Sequence, residues 1–179
     1  DGKVGIATSS PGQKLDVDGN ITASAFIGRS NSSAPTADAA VFRAADNTLA
    51  FSTANTEAMR INSSGRLLVG STTEVTTTGG TGAAQVLGTG NSDTIFTLGR
   101  FSANSGTASI NFVKSRNGTI GGNTIVQDDD TLGSIVFAAA DGSDFVSHAA
   151  KIDARVDGTP GANDTPGRLG FYTTADGSD

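Results

Sequence analysis

The feature that most constrains the fold of this chain is the shortness of its apolar runs, which alternate with polar residues and end at tight turns. The segment "KLDVDGNI" (14–21) is typical, because Leu15 and Val17 alternate with polar residues and Asp18-Gly19 is a strong two-residue turn signal before a second strand at 20–22. A hairpin this short is not stable alone, so other strands or other chains must cover its apolar side. The pattern predicts an all-β chain made of small units.

The amino-acid composition argues against one large core. Leu, Ile, Val and Phe make up roughly a fifth of the 179 residues, close to the level below which independent globular folding fails. Small β-units that share buried surface with repeats or with neighbouring chains fit this composition better. A helix over 36–45 is the alternative at one place, where alanine is dense, but neither a cap nor a 3.6-residue period supports it.

Short repeats run through the chain. "GKVGIATS" (2–9) aligns with "GRLLVGST" (65–72), so that Val4 corresponds to Leu67 and Ile6 to Val69. "TLAFST" (48–53) is similar to "RLGFYT" (168–173), and "AADGSD" (139–144) is similar to "TADGSD" (174–179). The irregular spacing predicts strung modules instead of a uniform solenoid.

Within each module the pattern is strand, turn, strand. Strands are predicted at Glu57–Ile61 and Arg66–Ser71 around a loop at Asn62–Gly65, and a further turn is predicted at Asp46-Asn47. Later strands are predicted at 94–103, 108–116, Leu132–Ala138, Val146–Val156 and Arg168–Thr174, with a turn at 141–144. Ile152, Ala154 and Val156 alternate with Asp153 and Arg155, which indicates a strand with one wet face.

These patterns divide the chain into three parts. Residues 1–75 form a shaft-like region of repeated hairpins, the Gly- and Thr-rich stretch 76–93 is a linker, and 94–179 forms one or two compact β-modules that end before the next repeat. Phenylalanine contributes the largest buried area available here. The core of the last part, within or between chains, is therefore predicted to contain Phe96, Phe101, Phe112, Phe137, Phe145 and Phe171.

Charge and composition narrow the function classes. A formal net charge of −6 argues against nucleic acid as a partner, and no apolar run reaches the roughly 20 residues of a membrane-spanning helix, so no membrane insertion is expected. The first residues lack the charged and apolar regions of a signal peptide, and the absent initiator Met indicates an excised segment. The chain has no cysteine, which is compatible with assembly in a reducing cytosol.

Candidate chemistry is sparse. His148 is the only histidine, and Asp144 and Ser147 lie too close to it in sequence to suggest a catalytic triad, so no catalytic residue is assigned and the chain is not expected to be an enzyme. The run Asp128, Asp129 and Asp130, and the pair Asp141 and Asp144, are oxygen-rich clusters of the kind that can bind calcium. Solvated turns explain them more simply, and no metal or cofactor is assigned.

Three longer segments carry a family resemblance. "DGKVGIATSSPGQKLDVDGNITASAFIG" (1–28), "TEAMRINSSGRLLVGST" (56–72) and the stretch from "DTLGSIVFAAADGSD" to the end (130–179) resemble the repeats of bacteriophage tail fibres, particularly those of marine phages that infect cyanobacteria and related bacteria. The resemblance covers 1–28, roughly 46–73 and 114–179, and is weaker between these ranges. The resemblance implies an elongated homotrimeric fibre of short β-hairpins with small β-sandwich or β-prism modules. It also implies a structural role in the virion, assembled in the host cytoplasm, with other tail proteins and a host cell-surface receptor, such as a polysaccharide, as partners.

The trimeric fibre explains the short hairpins, since three chains can turn their apolar residues to one shared axis. If 94–179 forms a terminal knob, its loops at 116–130 and 157–167 are the predicted receptor contacts, because recognition residues concentrate on loops. The residues singled out there are Arg116, Asn117, Asp128, Asp129, Asp130, Asn163 and Asp164.

Two alternatives stay open at this point. One is a bacterial surface adhesin or another extracellular filament protein. The other is a polysaccharide-degrading tailspike with paired carboxylates, although Glu57 and Glu74 are the only glutamates and Tyr172 is the only residue among Tyr and Trp that could stack on a sugar ring.

Overall fold

A computed structural model describes residues 4–10, 15–17 and 39–177 of the chain. Those residues contain strands, turns and irregular segments without any helix, so the all-β prediction is confirmed for them. The strands are β1 (Val4–Ile6), β2 (Leu15–Val17), β3 (Ala39–Ala45), β4 (Thr48–Thr53), β5 (Thr56–Ile61), β6 (Leu67–Val69), β7 (Thr76–Thr77), β8 (Gly80–Thr81), β9 (Ala84–Val86), β10 (Thr131–Ala138), β11 (His148–Val156) and β12 (Gly167–Thr173).

The first two strands form a parallel pair, in which Val4 lies opposite Leu15 and Ile6 opposite Val17. The sequence predicts a strand at Leu15 and Val17, and this is confirmed. The return strand predicted at 20–22 lies outside the described residues. The parallel partner was not predicted, because parallel pairing joins segments without a turn signal between them.

The larger of the two main sheets, called here the first sheet, has the strand order β3-β4-β5-β6-β9. Successive hairpins join β3 to β6, and β9 pairs with β6 in parallel. Asp46 and Asn47 form the predicted turn, in which Asn47 adopts a φ of 55°. The predicted loop at 62–65 is also present, and the Asn62 side-chain oxygen accepts hydrogen bonds from the backbone N–H groups of Ser64 and Arg66 at 3.0 Å each.

Two features of the first sheet differ from or extend the sequence prediction. Ala39–Ala45 is strand β3, so the helical alternative for this segment is wrong; residues 36–38 lie outside the described part. Ala54 and Asn55 form a second two-residue turn, between β4 and β5, with φ values of 48° and 61°. Both values are positive, as hairpin turns of the primed types require, but the absence of glycine there hid this turn from sequence inspection.

The second main sheet, called the second sheet, has the order β10-β11-β12 and is antiparallel throughout. Its strands match the predicted segments, and the ends differ by one or two residues. The predicted turn at 141–144 is closed by the Asp141 side chain, which accepts the backbone N–H groups of Ser143 at 2.7 Å and Asp144 at 3.0 Å. These bonds hold the pKa of the Asp141 carboxyl below its usual value.

The repeat seen in the sequence has a structural counterpart. Val4–Ile6 and Leu67–Val69, which align in the sequence, are β1 and β6, and each pairs in parallel with the strand that follows its connection, β2 or β9. The connection after β6 includes the small hairpin of β7 and β8. The repeat therefore specifies the same type of strand pairing twice.

The local structure of two segments was predicted wrongly. The stretch 76–93 was predicted as a linker, yet it contains β7, β8 and β9, and β9 completes the first sheet. The strands predicted at 94–103 and 108–116 are absent, since the described residues 87–130 contain no strand. The apolar alternation there has no partner strand in the part of the chain that the structure describes, and a strand needs one to satisfy its backbone. The three-part division of the chain stays a prediction.

Little apolar surface is buried within the described part of one chain. The buried apolar residues are Phe42, Ala50, Leu68, Val126 and Val156. None of the six phenylalanines predicted for the core is buried within the chain, and Phe101 is fully exposed. Their burial between chains stays a prediction.

Candidate functional site

The second sheet has one apolar face and one polar face. Cross-strand pairs set the two faces: Ile135, Ile152 and Phe171 lie side by side on one of them, while Ser134, Asp153 and Gly170 lie side by side on the other. The apolar face consists of Ile135, Phe137, Ala150, Ile152, Ala154, Leu169 and Phe171. Phe171 is 72% exposed and Leu169 61% exposed. The described residues therefore leave most of this face uncovered.

Two parts of that face are covered. Val156, which lies on it at the end of β11 opposite Gly167, is fully buried. The other covered part is the corner near Gly133. Phe112 lies so close to Gly133 that a Cβ added to Gly133 would stand 2.5 Å from the Cβ of Phe112. A cavity of about 380 Å³ opens there between Ile110, Phe112 and the strands β10 to β12. The contact explains why glycine occupies position 133, and it places the segment around 110–112 over the edge of the apolar face.

The first sheet has an uncovered apolar face of the same kind. Val41, Phe51, Met59, Val69 and Val86 lie in register across all five strands. A second row on the same face consists of Leu49, Ile61, Leu67 and Ala84. The exposed members include Val41, Leu49, Ile61 and Val86. Large apolar patches on a soluble chain mark interaction surfaces.

The opposite face of the first sheet is closed by its own side chains. Phe42, Ala50 and Leu68 are buried on it, and Arg60 lies in the same row between Ala50 and Leu68. A β-bulge at Ala58 puts Glu57 on this face, where it forms a two-point ion pair with Arg60. The pair raises the pKa of the Arg60 guanidinium.

The polar face of the second sheet is organised around Asp153, whose exposure is only 1%. The Asp153 carboxylate accepts Lys151 Nζ at 2.9 Å and Arg155 Nη2 at 3.0 Å. The Tyr172 ring covers both cations, with its centroid 4.9 Å from Lys151 Nζ and 5.9 Å from Arg155 Cζ. These partners lower the pKa of Asp153 to about 2. The wet face predicted from the alternation is thus polar, but its central carboxylate is buried.

Four of the predicted receptor residues come together at one end of the second sheet. Arg116 Nε and Nη2 donate to the two carboxylate oxygens of Asp130 at 2.7 Å each, and Asp130 also accepts the backbone N–H of Gln127 at 2.9 Å. The Arg116 contact, aided by the Gln127 bond, holds the pKa of Asp130 far below its usual range. Asp130 acts here as a fixed structural acceptor.

Asp128 and Asp129 complete this network. Asp128 Oδ1 accepts the backbone N–H of Gly158 at 2.7 Å, and Asp129, at a φ of 64°, pairs with Arg168. Arg168 also contacts Asp157 at 2.8 Å, and the two acidic partners raise its pKa. The aspartate run therefore ties the turn at 127–130 to the ends of β11 and β12.

The other three predicted contact residues lie apart from that network. Asn117 belongs to the 115–124 loop, where its side chain contacts Thr124 Oγ1 at 3.0 Å and the backbone N–H of Thr119 at 2.8 Å. Asn163 and Asp164 lie in the tight turn closed by the Gly161–Asp164 bridge. No shared site joins all seven residues in the described part of the chain.

The two glutamates considered as catalytic carboxylates form ion pairs and hydrogen bonds within the chain. Glu57 pairs with Arg60, and Glu74 contacts Arg66 at 3.2 Å and Asn62 Nδ2 at 2.9 Å. Within the described ranges, no group of three or more His, Asp or Glu side chains is placed to hold a metal ion. The described residues also lack any helix long and apolar enough to cross a membrane.

A β-bulge determines the face of the sheet on which His148 lies. The sequence alone assigned no contact to this residue. The register shifts between Phe137 and Ala138, so that Ala138 pairs with His148 while Phe137 pairs with Ala150. The shift puts His148 on the polar face, and its Nε2 lies 2.6 Å from the Thr78 hydroxyl of the β7–β8 hairpin. No local signal in the sequence predicts this contact across 70 positions.

Comparison with models of known protein families and with curated proteins finds no match to this chain.

Proposed function

We propose that this chain is a structural segment of an elongated, homotrimeric β-fibre that serves host attachment as part of a phage virion appendage. The observation that carries the proposal is the uncovered apolar face on each main sheet. The resemblance of segments 1–28, 56–72 and 130–179 to tail-fibre repeats supports the virion role.

Sheet geometry favours other copies of the chain as the cover. A three-stranded sheet needs a second layer to form a core, and the chain's described residues cover only Val156 and the corner near Gly133. Three copies that turn their Phe171 faces to a common axis form a closed prism, in which each sheet supplies the second layer of its neighbours. Each Å² of apolar surface buried in this way contributes about 25 cal/mol.

The segment 94–113 supports the same arrangement. It pairs with no strand among the described residues, yet it carries Ile95, Phe96, Phe101, Ile110 and Val113 in exposed positions. In a trimer this segment lies between neighbouring copies, where its apolar side chains become buried. Intertwining of this kind explains why a chain with so few large apolar residues leaves many of them exposed.

The oligomeric state is tested by light scattering on two variants of adjacent residues. The wild-type chain is expected to have three times the 17.8 kDa chain mass. Phe171→Asp puts a charge on the apolar face and is expected to give monomers. Tyr172→Asp, one position along β12 and on the other face, is the matched control and should keep the trimer.

A folded wild-type monomer with protected β12 amides and no binding of a hydrophobic dye would contradict the proposal. Equal effects of the two variants would also contradict it, because the assignment of the faces predicts a difference. The virion role is tested by gene context. A position among genes for other tail proteins supports it, whereas a secretion signal upstream in the same gene favours the bacterial surface adhesin.

A further inference from the structure

The polar face of the second sheet contains a cleft. The β7–β8 hairpin stands over this face and is joined to it by the hydrogen bond between Thr78 Oγ1 and His148 Nε2. The cleft between them is open to solvent and about 610 Å³ in volume, and its walls are Thr77, Thr78, Gly79, Ser134, Val136, Ala138, His148 and Lys151. We call it the hairpin cleft. Its volume lies in the range of small-ligand sites.

We propose that the hairpin cleft binds an acidic sugar unit, of the uronic acid type, in a cell-surface polysaccharide. The inference rests on the proposed host-attachment function and adds to it a ligand class and a place. In the proposed trimer the apolar face turns inward, so the polar face and its cleft remain accessible from outside.

The lining provides hydroxyl groups from both the hairpin and the sheet, together with one cation from the sheet. The hydroxyls of Thr77, Thr78 and Ser134 can donate and accept hydrogen bonds, which suits a ligand with many hydroxyl groups. Lys151 is the one ammonium group among the lining residues of the cleft. A single cation among hydroxyls fits one carboxylate on a sugar ring better than a polyphosphate.

Lys151 keeps positive charge available for a ligand although it contacts Asp153. The Asp153 carboxylate is shared between Lys151 and Arg155, so two cations face one anion at this place. An ammonium group has three N–H donors, and the contact with Asp153 at 2.9 Å uses one of them. The remaining donors can form charge-assisted hydrogen bonds with a ligand carboxylate.

The backbone and Tyr172 hold the cation in position. The Tyr172 ring lies under Lys151 Nζ at 4.9 Å, and the ring can lie across β12 because position 170 is glycine. A Cβ at Gly170 would stand 2.3 Å from the Tyr172 hydroxyl. A smaller cavity of about 190 Å³ shares His148 and Lys151 with the hairpin cleft and is also lined by Ala150, Tyr172, Thr173 and Thr174.

The test is an NMR titration of the chain with methyl β-glucuronide. Methyl β-glucoside is the neutral control with the same ring, and acetate is the control for the charge alone. We expect saturable shifts of the amides at Thr78, His148 and Lys151 with the glucuronide, and about tenfold weaker binding of the glucoside, the factor given by the loss of one charge-assisted hydrogen bond.

Two variants and a matched control locate the site. Lys151→Met should lower the glucuronide affinity to that of the glucoside, while Lys114→Met, a lysine outside the cleft whose Nζ contacts the Ser115 carbonyl, should leave it unchanged. Because Lys151→Met also removes a partner of Asp153, Thr78→Val provides a second probe that keeps this ion pair. It should weaken binding of both sugars.

Three outcomes would overturn the proposal: no saturable shift at the cleft, equal binding of acetate and glucuronide, or unchanged affinity in both cleft variants. The molar mass of the same sample separates this proposal from the fibre model. A trimer that fails to bind the sugar rejects the cleft alone. A monomer that binds it rejects the trimeric fibre and keeps the site.

Discussion

The two main sheets differ in the side chains that cover one of their faces. Each leaves an apolar face uncovered and closes its other face with its own side chains. The first sheet does so mainly with apolar groups, namely Phe42, Ala50 and Leu68, together with the ion pair of Glu57 and Arg60. The second sheet does so with charges, since Asp153 lies beneath Lys151, Arg155 and the Tyr172 ring.

This difference means that apolar burial mainly stabilises the first sheet, whereas ion pairs contribute more to the second. Apolar burial in the first sheet does not depend on the ionisation of side chains, whereas the carboxylates of the second sheet must stay ionised to keep their partners. Among the hydrogen bonds of the described residues, one, between Thr78 and His148, links the connection within the first sheet to the second sheet. The two sheets should therefore respond separately to perturbation.

The largest expected effect comes from a cavity-forming substitution that should destabilise only the first sheet. Leu68 has an exposure of 0%, and Leu68→Ala should reduce the stability of the first sheet by about 2 to 5 kcal/mol, because a buried leucine loses both its transfer free energy and its packing. Hydrogen exchange should report faster opening of β3 to β6 with β10 to β12 unchanged. Thr53→Ala, at the exposed end of β4, is the control and should change stability by less than about 0.5 kcal/mol. Equal loss of protection in both sheets would show that they open as one unit.

The next largest effect is a difference between the two sheets in their stability at low pH. Asp130 and Asp153 have lowered pKa values in the folded chain, so their stabilising contribution is complete above the unfolded value of about 3.8 and is lost as the pH falls. For Asp153 the loss runs from about pH 4 to about pH 2, and for Asp130 it continues lower. Amide exchange measured down this range should show the second sheet opening before the first.

Removal of the cation beside Asp130 sharpens that test. Arg116→Met should raise the pKa of Asp130 towards its ordinary value, so the acid transition of the second sheet should begin at a higher pH. Arg43→Met removes the cation from the Arg43–Asp46 pair at the turn of the first sheet and should leave that transition in place. An acid response that is unchanged by Arg116→Met would argue that this ion pair does not hold the sheet end.

The smallest effect concerns one turn of the first sheet. Ala54 has a φ of 48°, a left-handed conformation that costs an L-residue with a side chain roughly 1 to 2 kcal/mol. Ala54→Gly removes this cost but adds entropy to the unfolded chain, so a net gain of about 0.5 kcal/mol is expected in a denaturant titration. Ala45→Gly, at the end of β3, is the control and should lower stability by about 0.5 to 1 kcal/mol. Stabilisation by both variants would mean that turn strain is not the cause.

The sequence by itself determined several turns and the strands of the second sheet. The turns at Asp46-Asn47, at 62–65 and at 141–144 are present where predicted, because the side chains of Asn62 and Asp141 and the left-handed conformation of Asn47 act within a few residues. The alternation in 131–138, 148–156 and 167–173 also specified strands, since a period of two is a property of the strand itself.

Tertiary structure alone decided the partners that no short turn joins. The parallel pairing of β6 with β9, the bulge that brings His148 beside Thr78, and the contacts of Asp129 with Arg168 join residues far apart in sequence, and no local pattern encodes which distant segment fills a given place. For the same reason the alternation at 94–116 suggested strands that the chain does not form. A strand requires a partner for its backbone, and only the folded arrangement determines whether one is present.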